Sequence, residues 1–167
     1  MGLLRRVSIE RIDESGLSRV QALARRIWPE CFAYLQPQVD VSRMVEEIYH
    51  LDTLRDDMRA RSHQYWVVQV DGEDAGYASA YRDGDRLWIK KLYLLESSRG
   101  LGLGKRLIDT ALAAFAGVAA TSLYVNDGNL PAIAFYRSQG FEIESSGPVR
   151  MGPFQFRDHV MTRTRAA

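Results

Sequence analysis

Three extended apolar runs separated by two Asp-Gly turns, within residues 65–95, constrain this chain more than any other feature. "YWVVQV" is followed by the turn "DGED", "AGYASAY" by the turn "RDGD", and "RLWIKKLYLL" closes the series. Asp-Gly supplies the left-handed backbone that a tight hairpin turn needs, so two such turns in succession specify an antiparallel meander. The flanks have a different period. Upstream, "LRRVSIE" reads as a first strand, and "SGLSRVQALARRIW" sets Val20, Leu23, Ala24 and Ile27 on one helical face, with Ser15 as cap and Pro29 as stop. Residues 40 to 61 read as one or two further helices, with Val45, Ile48, Leu51, Leu54 and Met58 apolar amid charge.

Downstream of the meander, a glycine-rich segment opens a helix whose buried side carries Leu103, Leu107, Ala111 and Phe115. Then come a strand "TSLYV", a short helix "NLPAIAFYRSQG" ended by Gly140, a strand "FEIES", and "FQFRDHVMTR" as a final edge strand. Helices first, a meander, then alternating strands and helices describe an α+β chain. Its 167 residues suit a single domain spanning 1–167, large enough to bury a core without staples.

Composition removes several function classes. The net charge of +1 gives no global reason to expect nucleic acid or a membrane surface as partner. Cys31 is the only cysteine, which excludes an intramolecular disulfide and a cysteine-built zinc site, and His50, His63 and His159 lack metal-ligand spacing. No metal is expected. Charge interrupts the N-terminus before a signal-length apolar run develops, and Arg6 stands where a myristoylation motif at Gly2 needs Ser or Thr. No segment has the length of a membrane span. The expected compartment is the cytoplasm.

"ESSRGLGLGKRL", residues 96–107, combines bare backbone with positive charge at a helix start. The spacing of Gly100, Gly102 and Gly104 is one residue short of the dinucleotide fingerprint, and the position five before Gly104, where a P-loop needs glycine, is Arg99. Arg-x-x-Gly-x-Gly does fit, through Arg99, Gly102 and Gly104. Small residues let successive N–H groups face an anion, the helix adds its positive end, and Arg99, Lys105 and Arg106 add charge. A pyrophosphate held by main chain is the functional reading; a solvated strand-to-helix loop is the plain one.

A second constellation follows. "YVNDGNLPAIAFYRSQGFEI" puts Asn129 at a helix start, Ala132 one turn on, Tyr136 two turns on, and Gly140-Phe141 at the exit. Together with the Arg99-x-x-Gly102-x-Gly104 loop, it resembles the GNAT superfamily of N-acetyltransferases over roughly residues 65 to 163. The resemblance implies a mixed, mostly antiparallel twisted central sheet flanked by helices. That sheet is splayed between the third meander strand and the parallel strand after the glycine helix.

It also implies acetyl-coenzyme A as co-substrate. Backbone of Leu92 and Leu94 would pair with the pantetheine arm and acetyl group, and the segment Arg99, Gly100, Leu101, Gly102, Leu103, Gly104 and Lys105 would wrap the pyrophosphate. Asn129 would contact the arm, and the Tyr136 hydroxyl would give its proton to the leaving sulfur. Each has a plainer reading: Asn129 before Leu-Pro is an ordinary helix cap, and Tyr136 beside Phe135 is a core aromatic pair. No general base is assigned, because "RLWIKKLYLL" has Lys90 and Lys91 and no acid. A water chain ending on Tyr81, Tyr93 or a remote acid is the alternative to an acceptor that arrives neutral.

The acceptor is expected against the first helices, where Glu30, Asp40, Glu46, Glu47 and Asp52 accompany Tyr34 and Tyr49. A small-molecule amine is the expected partner, with a cationic amine or polyamine favoured. "WPECFAYL" and "GPFQFRDHVMTR" loosely resemble the bacterial polyamine acetyltransferase branch. The alternatives are an acetyltransferase acting on a protein lysine or N-terminus, and a non-catalytic acyl-coenzyme A sensor. Homodimer formation rests on family likeness alone.

Overall fold

The computed structural model describes residues 4–165; Gly2, the site a myristoylation motif would need, lies outside them. Seven strands form one sheet: β1 (Val7–Ile12), β2 (Gln64–Val70), β3 (Glu73–Asp83), β4 (Arg86–Leu94), β5 (Ala120–Asn126), β6 (Glu142–Met151) and β7 (Phe154–Thr164). Their spatial order is β1-β2-β3-β4-β5-β7-β6, antiparallel throughout except for the β4–β5 pair. "FQFRDHVMTR" therefore lies inside the sheet, not at its edge. After β5 the chain crosses over to form β6, and the hairpin returns β7 into the slot beside β5, leaving β6 outermost.

Helices cover both faces. On one side α1 (Leu17–Cys31), α2 (Val41–Ile48) and α3 (Leu51–Arg61) bury Val20, Leu23, Ile27, Trp28 and Leu54 against Tyr65, Val67 and Tyr77. On the other, α4 (Leu103–Ala114) buries Leu103, Leu107 and Ala111 against Trp66, Val68, Ala78 and Leu87. The short α5 (Leu130–Ser138) closes Ile133 and Tyr136 over Leu123, Val125 and Met161. Tyr65 and Val67 go one way and Trp66 and Val68 the other, as strand alternation requires of a strand covered on both faces.

Two helix boundaries differ from expectation. Ser15 does not cap α1: it lies in a 3-10 turn whose cap is Asp13, which accepts the Ser15 amide at 2.9 Å. Helix α1 then starts after Gly16 with no side-chain cap. Nor does Pro29 stop the helix, which runs on to Cys31. A proline in the last turn forfeits one backbone hydrogen bond, and the buried Trp28 and Phe32 on either side of it hold that turn against the sheet. The stretch 40–61 divides into two helices at Tyr49, where the Tyr49 amide ends α2 on the Val45 carbonyl and His50 caps α3.

The sheet interior also holds ionisable groups. Asp57 of α3 accepts from the Tyr65 hydroxyl at 2.8 Å and lies 3.6 Å from Lys91 Nζ and 3.7 Å from His63 Nδ1. All four are buried. Burial holds the Lys91 amine down to about 8 against the pull of Asp57, and the His63 imidazole down to about 4. Below pH 6.5 the unfolded chain takes up a proton at His63 that the folded protein refuses until about pH 4. That site therefore removes stability as pH falls through this window. The urea midpoint is expected to drop between pH 7 and pH 4.5, and to drop less in His63→Phe, which keeps a ring stacked on Tyr81.

Candidate active site

Strand β4 pairs with β5 over four residues only, Arg86–Ile89 against Ala120–Leu123. Pairing stops at a bulge: Ser79 of β3 stands opposite Lys91 and Ala80 opposite Ile89, so Lys90 is the extra residue. A bulge bends its strand, and here it carries residues 90–94 away from Tyr124–Asn126. Leu95 donates its amide to the Ala75 carbonyl at 2.8 Å. By the alternation of an antiparallel ladder, the amides of Leu92 and Leu94 then turn the opposite way, into the gap.

The glycine segment lies at the open end of this gap. Gly100 and Gly102 have φ of +80° and +74°, and nothing lies within 4 Å of where a Cβ would stand on either. The Arg106 amide closes on the Gly102 carbonyl at 3.3 Å. The amides of Gly100 to Lys105 have no hydrogen-bond partner among the described residues. Arg99, Lys105 and Arg106 are exposed, with Lys105 held by Asp109 at 2.9 Å. Gly104 faces inward instead: a Cβ there would meet Phe135 Cζ at 2.7 Å, so this glycine lets α5 press against the start of α4.

From that docking, α5 carries two of the sequence-derived residues to the gap. Asn129 caps α5, its Oδ1 accepting the Ala132 amide at 3.4 Å, while its Nδ2 donates to Cys31 Sγ at 3.8 Å. Tyr136 is buried between Phe135 and Phe141, and its hydroxyl has no partner among the described residues. Burial pushes its ionisation well above the usual tyrosine range, with the neighbouring Cys31 adding to the shift. Cys31, at the end of α1, is itself pushed up by burial and feels the charge of Arg99. Nothing in the sequence marked it as part of this corner, because α1 and α5 are distant along the chain.

The acceptor side differs more from expectation. Glu46 pairs with Arg25, Glu47 with Arg43 and Asp52 with Arg55, while Asp40 caps α2. Tyr49 is fully buried and accepts from the Tyr77 hydroxyl at 2.6 Å. Of the aromatics expected there, Tyr34 reaches the gap: its ring lies on Gly128, and its hydroxyl donates to Asn126 Oδ1 at 2.7 Å. Beside Asn126 stand Asp127 in the following turn and Asp158 on β7. On the same sheet face, a cavity of about 300 Å³ is lined by Arg61, His63, Tyr81, Arg82, Asp83 and Lys90.

A splayed parallel pair, an open glycine turn at its mouth and a capped helix alongside match what the motifs imply. The sequence model of the acetyltransferase (GNAT) family matches residues 20–141. The chain belongs to the GNAT family. A curated relative, an uncharacterized N-acetyltransferase of Lactobacillus delbrueckii subsp. lactis, is 26% identical over 113 residues, which are 63% of this chain and 65% of that relative's length. Among solved structures, the PaiA N-acetyltransferase of Thermoplasma acidophilum in complex with coenzyme A superposes with TM-score 0.80 at 20% identity, covering 96% of this chain and 99% of the other. NAA60 of Arabidopsis thaliana, solved with a bisubstrate analogue, superposes with TM-score 0.70 at 17% identity, covering 96% and 100%. At these identities the superpositions establish the GNAT fold. No group of His, Cys, Asp and Glu able to hold a metal occurs among the described residues, and no helix there is long and apolar enough to cross a membrane.

Proposed function

We propose that this protein moves the acetyl group of acetyl-coenzyme A to the primary amine of a small cationic acceptor. The observation that carries this reading is the gap itself. Unpaired β4 backbone faces β5, and successive unpartnered amides lie at the mouth where a pyrophosphate would sit. Acetyl-coenzyme A supplies an activated thioester. The Gly100–Lys105 amides with Arg99 hold its phosphates, and Leu92 and Leu94 lend main-chain groups to its arm. An N–H of the splayed strand stabilises negative charge on the carbonyl oxygen. Asn129 contacts the arm while capping α5. Tyr136, kept protonated by its burial, donates to the departing sulfur.

Asp127 and Asp158 beside Tyr34 support a cationic acceptor. The basic cavity around Arg61, Arg82 and Lys90 supports a second reading, an amino-terminal peptide whose following side chains are acidic. Thiol release from acetyl-coenzyme A with spermidine, spermine, short diamines, lysine peptides and acidic amino-terminal peptides separates the two. Polyamine turnover is the expected result. Turnover confined to acidic peptides selects the second reading, and tight acetyl-coenzyme A binding without turnover on any amine selects a sensor.

A further inference from the structure

An amine is mostly protonated at neutral pH, so acetyl transfer needs a group that takes its proton, and β4 offers none. Strand register supplies one from elsewhere. Asp158 of β7 stands opposite Asn126 of β5, and both lie on the sheet face that carries Trp88, Tyr93 and Tyr124. Asn126 Nδ2 donates to Asp158 Oδ1 at 3.4 Å. Asn126 is fixed in turn, its Oδ1 accepting from the Tyr34 hydroxyl at 2.7 Å and the Gly128 amide at 3.0 Å. The other carboxylate oxygen of Asp158 has no hydrogen-bond partner among the described residues.

The other acids nearby are committed or displaced. Glu144 accepts from Arg86 and Thr162, Asp57 accepts from Tyr65 beneath the helices, and Asp127 is exposed in the turn. We infer that Asp158 is the proton acceptor for the incoming amine, a catalytic base delivered by β7 in place of an acid on β4. This rests on the acetyl-transfer reading but not on which amine is used. Asp158 first takes a proton from the ammonium, which frees the nitrogen lone pair to attack the thioester carbonyl. As the C–N bond forms and the C–S bond breaks, Tyr136 gives its proton to the sulfur, and the second proton leaving nitrogen restores the Tyr136 hydroxyl.

The groups around Asp158 are Asn126 and Asp127 from β5 and its turn, Lys90 and Tyr93 from β4, Tyr34 from the turn after α1, and His159 beside it on β7. Partial burial lifts its carboxyl above the usual aspartate range and Asp127 adds to this; Asn126, His159 and Lys90 oppose. His159 is tied through Nδ1 to Ser146 at 2.6 Å and serves as the neighbouring control.

The experiment measures kcat/KM for the best acceptor from pH 5.5 to 9.5 in the wild type, Asp158→Asn, Asp127→Asn and His159→Gln. Acetyl-coenzyme A affinity and thermal midpoint are read on each. Asp158→Asn is expected to bind acetyl-coenzyme A as the wild type does and to lose about 100-fold in kcat/KM near pH 7. That loss shrinks toward pH 9.5, where neutral amine is plentiful, and it is small for a weakly basic amine already neutral at pH 7. Equal loss at every pH and for every amine marks a structural residue and overturns the assignment. So does an acidic limb that disappears with Asp127 or His159, or unchanged turnover in Asp158→Asn. A wild type that binds acetyl-coenzyme A but turns over no amine fails at the level of acetyl transfer, which is a different result.

Discussion

Gly102→Glu is expected to lower affinity for acetyl-coenzyme A by at least 100-fold, a loss of about 2.8 kcal/mol. The position has φ +74° and caps α4 with its backbone alone, so any side chain brings strain of roughly 1–2 kcal/mol. Strain is the smaller part. Nothing lies within 4 Å of the missing Cβ, so a glutamate there would extend its carboxylate into the space that the unpartnered amides face. Gly102→Ala separates the two effects, because it keeps the strain without the charge and is expected to cost less than tenfold. Calorimetric titration of both variants decides the matter. Equal losses would mean that the loop geometry, not its anion site, is what matters, and an unchanged Gly102→Glu would remove the phosphate assignment.

Tyr136→Phe is expected to bind acetyl-coenzyme A normally and to reduce kcat by about 100-fold or more. The ring keeps its packing against Phe135 and Phe141, and the hydroxyl it loses has no protein partner among the described residues. Thermal stability should therefore hold. Because burial raises this phenol's ionisation above its ordinary value near 10, the wild type should show no basic limb from Tyr136 below pH 10. Full turnover of Tyr136→Phe across pH would remove it as the proton donor and return it to the core.

The meander was legible because its determinants are local: Asp71-Gly72 and Asp83-Gly84 turn the chain where their own backbone dictates. The glycine loop and the Asn129 cap were legible for the same reason. What escaped is non-local. Whether β7 lies at the edge or inside depends on how two hairpin strands dock, which alternation within "FQFRDHVMTR" cannot express. No local feature of "RLWIKKLYLL" says where Lys91 points; the bulge at Lys90 turns it onto Asp57. Asp158 carries no motif; its place at the gap comes from its register with Asn126 across a long connection. The acids of 30–52 looked like one cluster because they are near in sequence, but arginines on the same or neighbouring helices pair with several of them.

The sheet is two panels joined by a short seam. From β1 to the middle of β4, and again from β5 through β7 to β6, each strand is laced to its neighbour over most of its length, whereas the join between panels is four residue pairs long. A molecule lying in the gap and bonding to both walls would lengthen that seam, so its binding free energy would also become cohesion of the fold. Amides flanking the join, at Leu92, Leu94, Tyr124 and Asn126, would then exchange with solvent more slowly when the gap is filled, and letting the product go would mean unzipping part of the sheet.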